Sequence, residues 1–301
     1  MKKIPENLVN ELNKIKEFSA KKKNGYSIIS VHEVKDMAEK YTLSPQEVEI
    51  ASLQEKIVPA RYLRNFNTIS FADQIQLLLS TIAVIGCGGL GGNIIDMLAR
   101  LGIGNIIVID GDIFNESNLN RQLLCTENNI GKEKAETATE RIKHINSSIN
   151  TKTYSQFIDS KNIQKMIQEA DLAVDALDNI PSRFVLEKAC RYLDIPFIHG
   201  AVNGFYGQVS TIFPDDKGLE TIYGPSERYE KQEKTSRVSV TSVTPALVAS
   251  FQAQEVIKVL LHKGKPLRNR LLLINLEEPS VKGTVLLTLF KRKRVSKEPS
   301  P

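Results

Sequence analysis

The fold turns on VIGCGGLGGNI, residues 84–94, where Gly86, Gly88 and Gly91 stand in the spacing G-x-G-x-x-G directly behind the apolar run Ile82, Ala83, Val84, Ile85. An apolar run, a glycine turn and an amphipathic stretch in that order read as strand, tight turn and helix. The glycines let the backbone approach a ligand closely, and the helix offers unpaired N–H groups and the positive end of its dipole to a phosphate. A second apolar run, 106–110, closes on Asp110, 19 residues past Gly91. A carboxylate there reaches ribose hydroxyls. Together these features predict an adenine nucleotide on a Rossmann-like sheet, and they leave NAD and ATP undistinguished.

Outward from this unit, short apolar runs alternate with amphipathic stretches, as in a sheet buried under helices. Strands are expected at 82–86, 106–110, 172–176, 196–200, 207–213, 271–276 and 284–290, and helices at 91–102, 132–145, 160–169, 181–193 and 245–261. The fold class is therefore α/β: a mostly parallel Rossmann-like sheet with helices on both faces, continued by antiparallel strands. Residues 225–240, PSERYEKQEKTSRVSV, are charged and lack an apolar stripe, which predicts a long mobile connection.

Residues 1–60 read as a small helical N-terminal extension. Ile4, Leu8, Leu12, Ile15 and Phe18 recur at steps of three and four, and two further helices follow at 30–41 and 44–57. The last opens with Ser44 as N-cap, Pro45 behind it and Glu47 closing a capping box. A DNA-binding helix-turn-helix is the alternative, but ten basic and nine acidic groups in these 60 residues favour a structural cap or a protein-binding appendage. Residues 291–301, KRKRVSKEPSP, hold five basic residues and one acidic, most of the net +5 of the chain. Without interleaved aromatics this end reads as a solvated, disordered tail, so no nucleic-acid partner is expected.

No apolar run approaches the roughly 18 residues that span a bilayer, and Asn, Glu and Lys break up the N-terminus too much for a signal peptide. Cys87, Cys125 and Cys190 are isolated thiols with no C-x-x-C pair, which suits a reducing compartment and argues against a thiolate zinc site. A cytoplasmic location and no membrane partner are expected.

Three further stretches separate ATP from NAD: ESNLNRQLL at 116–124, GKEKAE at 131–136 and VDALDN at 174–179. Asn118, Arg121, Gln122 and Lys134 put two cations and two amides near the strand ends, a set suited to a triphosphate and unneeded for hydride transfer. Asp178 follows an apolar run at the carboxyl end of a strand, where a carboxylate beside phosphates is a natural Mg2+ ligand. Asp175 competes for that role, but three residues earlier it falls within the strand.

These motifs, with RYLRN at 61–65 and HGAVNGFYGQVSTIFP at 199–214, resemble the ThiF/MoeB/HesA family, bacterial relatives of ubiquitin-activating E1 enzymes. The resemblance covers roughly 61–290 and implies an E1-like ATP-binding adenylation domain. The implied activity is ATP-dependent adenylation of the C-terminal glycine carboxylate of a small ubiquitin-like sulfur carrier ending in Gly-Gly, with release of pyrophosphate. Gly86, Gly88, Gly89 and Gly91 are then expected on the phosphates and Asp110 on the ribose. Asn118, Arg121, Gln122 and Lys134 are expected on the triphosphate, and Asp178 on Mg2+. Arg64 aligns with an arginine that reaches the neighbouring site across a homodimer.

The sequence departs from the pattern of the family it resembles in two ways. Many members hold zinc on two C-x-x-C pairs; here the first region reads ETIYGPSER, 220–228, so no zinc is expected and packing around Tyr223 takes its place. Some members carry a thiol on the crossover loop, about 220–240, and here that loop has no cysteine. The expectation is an enzyme that stops at the acyl-adenylate. His199, at a strand end, reads as structural. Two alternatives stay open: an ATP-using enzyme on the same fold that acts on a tRNA base or a peptide carboxylate, and a non-catalytic nucleotide- or carrier-binding scaffold.

Overall fold

The strand behind the glycine loop is central to the sheet because it is apolar on both faces. In the computed structural model, which describes residues 4–17, 22–23, 25–229, 239–278 and 285–286, alternate residues of this strand enter two separate cores. Ile82 and Val84 pack into one, Ala83 and Ile85 into the other. A strand buried on both faces needs a continuous apolar run.

The N-terminal part contains helix α1 (Glu6–Glu17), strands β1 (Lys22–Lys23) and β2 (Tyr26–Ile29), helices α2 (Val31–Tyr41) and α3 (Pro45–Gln54), and strand β3 (Ile57–Pro59). The three strands form a sheet of their own, with β2 and β3 parallel. The purely helical expectation is thus corrected. The helix expected to run to residue 57 stops at Gln54 because Lys56 turns left-handed at φ 65°, which frees Ile57 and Val58 to pair with β2. Ser44 and Glu47 do form the capping box. Phe18 and the basic tail lie outside the described residues.

The main unit follows as α4 (Phe71–Leu79), β4 (Thr81–Ile85), α5 (Gly89–Leu101), β5 (Asn105–Ile109), α6 (Lys134–Ile145), β6 (Asn150–Tyr154), α7 (Ile163–Ile167), β7 (Leu172–Asp175), α8 (Ile180–Tyr192), β8 (Phe197–Asn203) and β9 (Tyr206–Ile212). Helices α9 (Glu220–Tyr223) and α10 (Val243–Leu261) and strands β10 (Arg270–Asn275) and β11 (Val285–Leu286) complete it. The eight strands run β11-β10-β9-β8-β7-β4-β5-β6. From β6 to β8 all neighbours are parallel, and from β8 to β11 all are antiparallel. Helices α5, α6 and α10 cover one face, α7 and α8 the other. Strand order reverses beside β4, between β5 and β7, so the crevice for a ligand opens over the carboxyl end of β4. Edge strand β6, sequence NTKTY, escaped the sequence reading because it is polar and pairs with β5 alone.

The two parts meet through a buried polar cluster. Glu49 of α3, fully buried, accepts from the Tyr62 hydroxyl at 3.0 Å and lies 3.4 Å from the Arg61 guanidinium. Asn146, at the end of α6, donates to the Tyr62 hydroxyl at 2.8 Å. No helix among the described residues is long and apolar enough to cross a membrane.

Candidate active site

The glycine loop is held between the end of β4 and the start of α5. Gly86 has φ 99°, and its N–H donates to Ile109 O at 2.8 Å, which extends the β4–β5 ladder into the turn. A side chain at Gly91 has no room, since its Cβ would stand 1.7 Å from Gly86 O. This contact seats the first turn of α5 on the end of β4. Gly88 is the N-cap of α5 and no side chain caps it, so the first N–H groups of the helix remain available to an anion.

Asp110 leaves the end of β5 and turns back over the loop. Its Oδ2 accepts from Cys87 N at 2.6 Å and its Oδ1 from Asp112 N at 2.8 Å. Burial pushes its pKa above the ordinary carboxylate value, while those two donors and the Lys134 charge pull it back. Lys134, first residue of α6, is 6% exposed. Its ammonium pairs with Asp112 Oδ2 at 3.2 Å and lies 6.0 Å over the Phe114 ring.

The 116–122 turn closes the other side. Asn118 Oδ1 accepts from Asn115 N at 3.0 Å, and Gln122 N donates to Asn118 O at 2.9 Å. Gln122 then lies against the glycine loop, with Nε2 3.6 Å from where a Cβ on Gly88 would be. Its Oε1 is buried and accepts no hydrogen bond from the described residues. The carbonyl of Arg121 sits beside Gly89. The Arg121 guanidinium folds back on its own turn, donating to Ser117 O at 3.0 Å and Asn120 Oδ1 at 2.9 Å.

Asp178 projects from the exposed loop after β7, and its Oδ1 accepts from Asn179 Nδ2 at 3.1 Å. Two residues earlier Ala176 touches both Gly86 and Gly91, so this loop and the glycine loop share one crevice. Asp175 is fully buried in β7, where Oδ2 accepts from His199 Nδ1 at 2.7 Å and Oδ1 from Leu177 N at 2.9 Å. It has no surface for a nucleotide. Burial lowers the His199 pKa although Asp175 pulls it up. The ring is held on both sides: Nδ1 faces Asp175 Oδ2, and Nε2 lies 3.2 Å from both the Tyr223 hydroxyl and Gln208 Nε2.

One expected residue stands apart. Arg64 is exposed and lies in the turn after Tyr62, whose neighbour Asn65 donates to Gln74, which in turn donates to Leu101 O. That is the far end of α5 from the glycine loop, about 20 Å away at 1.5 Å per residue. Within one chain Arg64 does not join the other site residues.

The crevice thus combines a glycine turn, a carboxylate bonded to that turn, a buried lysine, two amides and an exposed carboxylate. The ThiF family matches residues 60–293. This chain belongs to the ThiF family. It is 34% identical over 199 residues to the SAMP-activating enzyme E1 of Haloferax volcanii, covering 66% of this chain and 74% of that protein. It is 34% identical over 215 residues to the Sulfur carrier protein adenylyltransferase of Thermus thermophilus, covering 69% and 79%. The crystal structure of E. coli MccB superposes with a TM-score of 0.65 at 26% identity, covering 73% of this chain and 67% of that one.

In this ThiF-family adenylyltransferase the sequence reading missed three participants. Asp112, the partner of Lys134, was legible only as the second acid of an Asp-Gly-Asp turn. Arg183 gives no sequence signal, because an arginine in the first turns of a helix usually faces solvent; here it is 7% exposed. Tyr223, singled out only as packing, brings its hydroxyl to Arg183, Gln208 and His199.

Proposed function

We propose that this chain adenylates the C-terminal glycine carboxylate of a small ubiquitin-like sulfur carrier, using ATP and releasing pyrophosphate, within residues 61–290. The observation that carries this reading is the packing of the 116–122 turn over the glycine loop. It puts the Gln122 amide beside Gly88 and the Arg121 main-chain carbonyl beside Gly89, with the Arg121 guanidinium held on the same turn by Ser117 O and Asn120 Oδ1, a side of the crevice that a dinucleotide fold has no reason to line with an amide and a cation-bearing turn. The names of the Haloferax and Thermus relatives support the acceptor class.

In this reading Gly86, Gly88, Gly89 and Gly91 bind the phosphates through the backbone and the α5 dipole, and Asp110 accepts from the ribose. Gln122 and Asn118 contribute amides. Lys134 and Arg121 stabilise charge that builds on the phosphoryl oxygens as pyrophosphate leaves. The Arg121 guanidinium exchanges its two weak intraturn acceptors for phosphate oxygens, a stronger bidentate partner. The acceptor carboxylate is ionised near pH 7, so no protein base is required; alignment is the catalytic task. No metal-binding cluster of three or more acids, histidines or cysteines occurs among the described residues. A lone exposed carboxylate such as Asp178 does fit Mg2+, which binds through one or two carboxylates plus phosphates. When bound, the ion would neutralise phosphate charge. Arg64 acts from the second subunit of a homodimer, and the absence of cysteine from 220–240 ends the reaction at the acyl-adenylate.

The test is exchange of labelled pyrophosphate into ATP. Exchange that depends on a carrier ending in Gly-Gly is expected. Dependence on an RNA or a free peptide moves the acceptor to that class, and no exchange with any of these leaves a nucleotide-binding scaffold. Asp178→Ala should abolish exchange with an unchanged circular dichroism spectrum; near-parental exchange removes Asp178 from the site.

A further inference from the structure

Beneath the exposed Asp178 loop lies a buried cation that the reaction above does not use. Arg183 of α8 spreads its guanidinium over two other segments of chain, the end of β7 and α9. Nη2 donates to Leu177 O at 2.6 Å, Nη1 to the Tyr223 hydroxyl at 2.9 Å, and Nε lies 3.3 Å from Asp175 Oδ2. Burying a guanidinium is costly unless it is paired, and an apolar side chain of similar size fills a core at least as well. The arrangement therefore calls for a purpose beyond packing.

We infer that Arg183 is a positioning residue that fixes the direction of Asp178 through the main chain, and that Tyr223 of the crossover segment braces it. The inference rests on the reading of Asp178 as the magnesium ligand. Both polar main-chain groups of Leu177 are tied: its N–H donates to Asp175 Oδ1 at 2.9 Å and its carbonyl accepts from Arg183. On the other side, Asn179 is held as the N-cap of α8, its Oδ1 accepting from Ser182 N at 2.9 Å. Asp178 thus sits between two residues whose polar groups are tied, and its own Oδ1 accepts from Asn179 Nδ2 at 3.1 Å. Tyr223 accepts from Arg183 and from Gln208 Nε2 at 2.7 Å while donating to His199. One contact of its hydroxyl reaches the guanidinium, and the contacts to Gln208 and His199 fix where that hydroxyl stands. Placement of the magnesium ligand consequently depends on α9, at the start of the crossover segment, being docked.

The experiment measures ATP binding to the full chain by calorimetry, with magnesium and with EDTA, for the parent, Arg183→Lys, Tyr223→Phe and Asp178→Asn. Lysine keeps the charge but cannot span the three acceptors. Arg183→Lys should weaken magnesium-ATP binding about tenfold, the scale for residues that orient a metal ligand. Metal-free binding should change by less than about twofold, the scatter of independent sites. Tyr223→Phe should act in the same direction by about threefold, because of the three contacts it removes only one is to Arg183, and it serves if the lysine variant does not fold. On an Asp178→Asn background neither substitution should add a loss. Equal losses with and without magnesium, or full additivity with Asp178→Asn, overturn the positioning role. A parent that binds ATP identically with and without magnesium overturns the Asp178 reading and this inference with it. Magnesium-dependent parental binding that both variants retain overturns this inference alone.

Discussion

The main-chain N–H of Cys87, inside the glycine loop, donates to Asp110 Oδ2 across 2.6 Å. One carboxylate thereby holds the loop at the crevice, where the proposed reading puts the ribose. Burial raises its pKa in the folded chain. Between the ordinary carboxylate value and the raised one, the folded state binds more protons than the unfolded state, so stability falls as pH rises through that window. Asp110→Asn should therefore lose this pH dependence of stability and, with one acceptor oxygen for the two main-chain donors, bind ATP about tenfold more weakly, the scale for hydrogen bonds to a charged group. In the parent, ATP affinity should fall as pH drops through the raised pKa, and the variant should be flat there. Unchanged affinity in Asp110→Asn would take the ribose role away from this residue.

Gly91→Ala tests the seat of α5 on β4. With Gly86 O 1.7 Å from the new Cβ position, the helix must lift off the strand. Urea denaturation should show a loss of about 3 kcal/mol or more, in the range reserved for severe strain, together with loss of measurable ATP binding.

Arg64 lies at the wrong end of α5 for its own site, which makes subunit mixing informative. Arg64→Ala and Asp178→Ala chains should each be inactive. Mixed and allowed to exchange, they should recover about a quarter of the parental rate, because half of the dimers are hybrids and each hybrid has one intact site. A mixture as inactive as its components argues against action across the dimer.

Glu49→Ala should loosen the N-terminal part from the main unit. It strips the Tyr62 hydroxyl and the Arg61 guanidinium of a fully buried acceptor, and breaking such a pair costs about 3 kcal/mol. Chemical denaturation should show the loss, and limited proteolysis should cut earlier between α3 and α4. A parental denaturation midpoint would mean that the cluster contributes nothing to holding the two parts together.

Much of the main unit was legible because its signals are local. The apolar run at 82–85, the glycine spacing and Asp110 each need only the next few residues to be interpretable, and the parallel core came from repetition of that pattern. What failed had no local signature. Edge strand β6 is polar because only one neighbour covers it, and β3 was hidden in a helical periodicity that Lys56 interrupts with a left-handed turn. Within the candidate site, the residue types suited to a nucleotide were readable, and their grouping was not. The folding back of the Arg121 guanidinium and the pairing of Lys134 with Asp112 were not, since each depends on where a loop returns in space.

The sequence by itself determined the α/β class, the glycine-loop unit and the list of chemically suited residues, because spacing and residue type act through local backbone geometry. Only the tertiary structure decided which of them share a crevice. Arg64 is excluded from its own site by the length of α5. Asp175 is buried into an ion pair while Asp178, three residues on, is left exposed. Arg183, without any motif, becomes the hub that joins β7, α8 and α9. These outcomes depend on contacts between segments far apart in the chain, which no short-range pattern encodes.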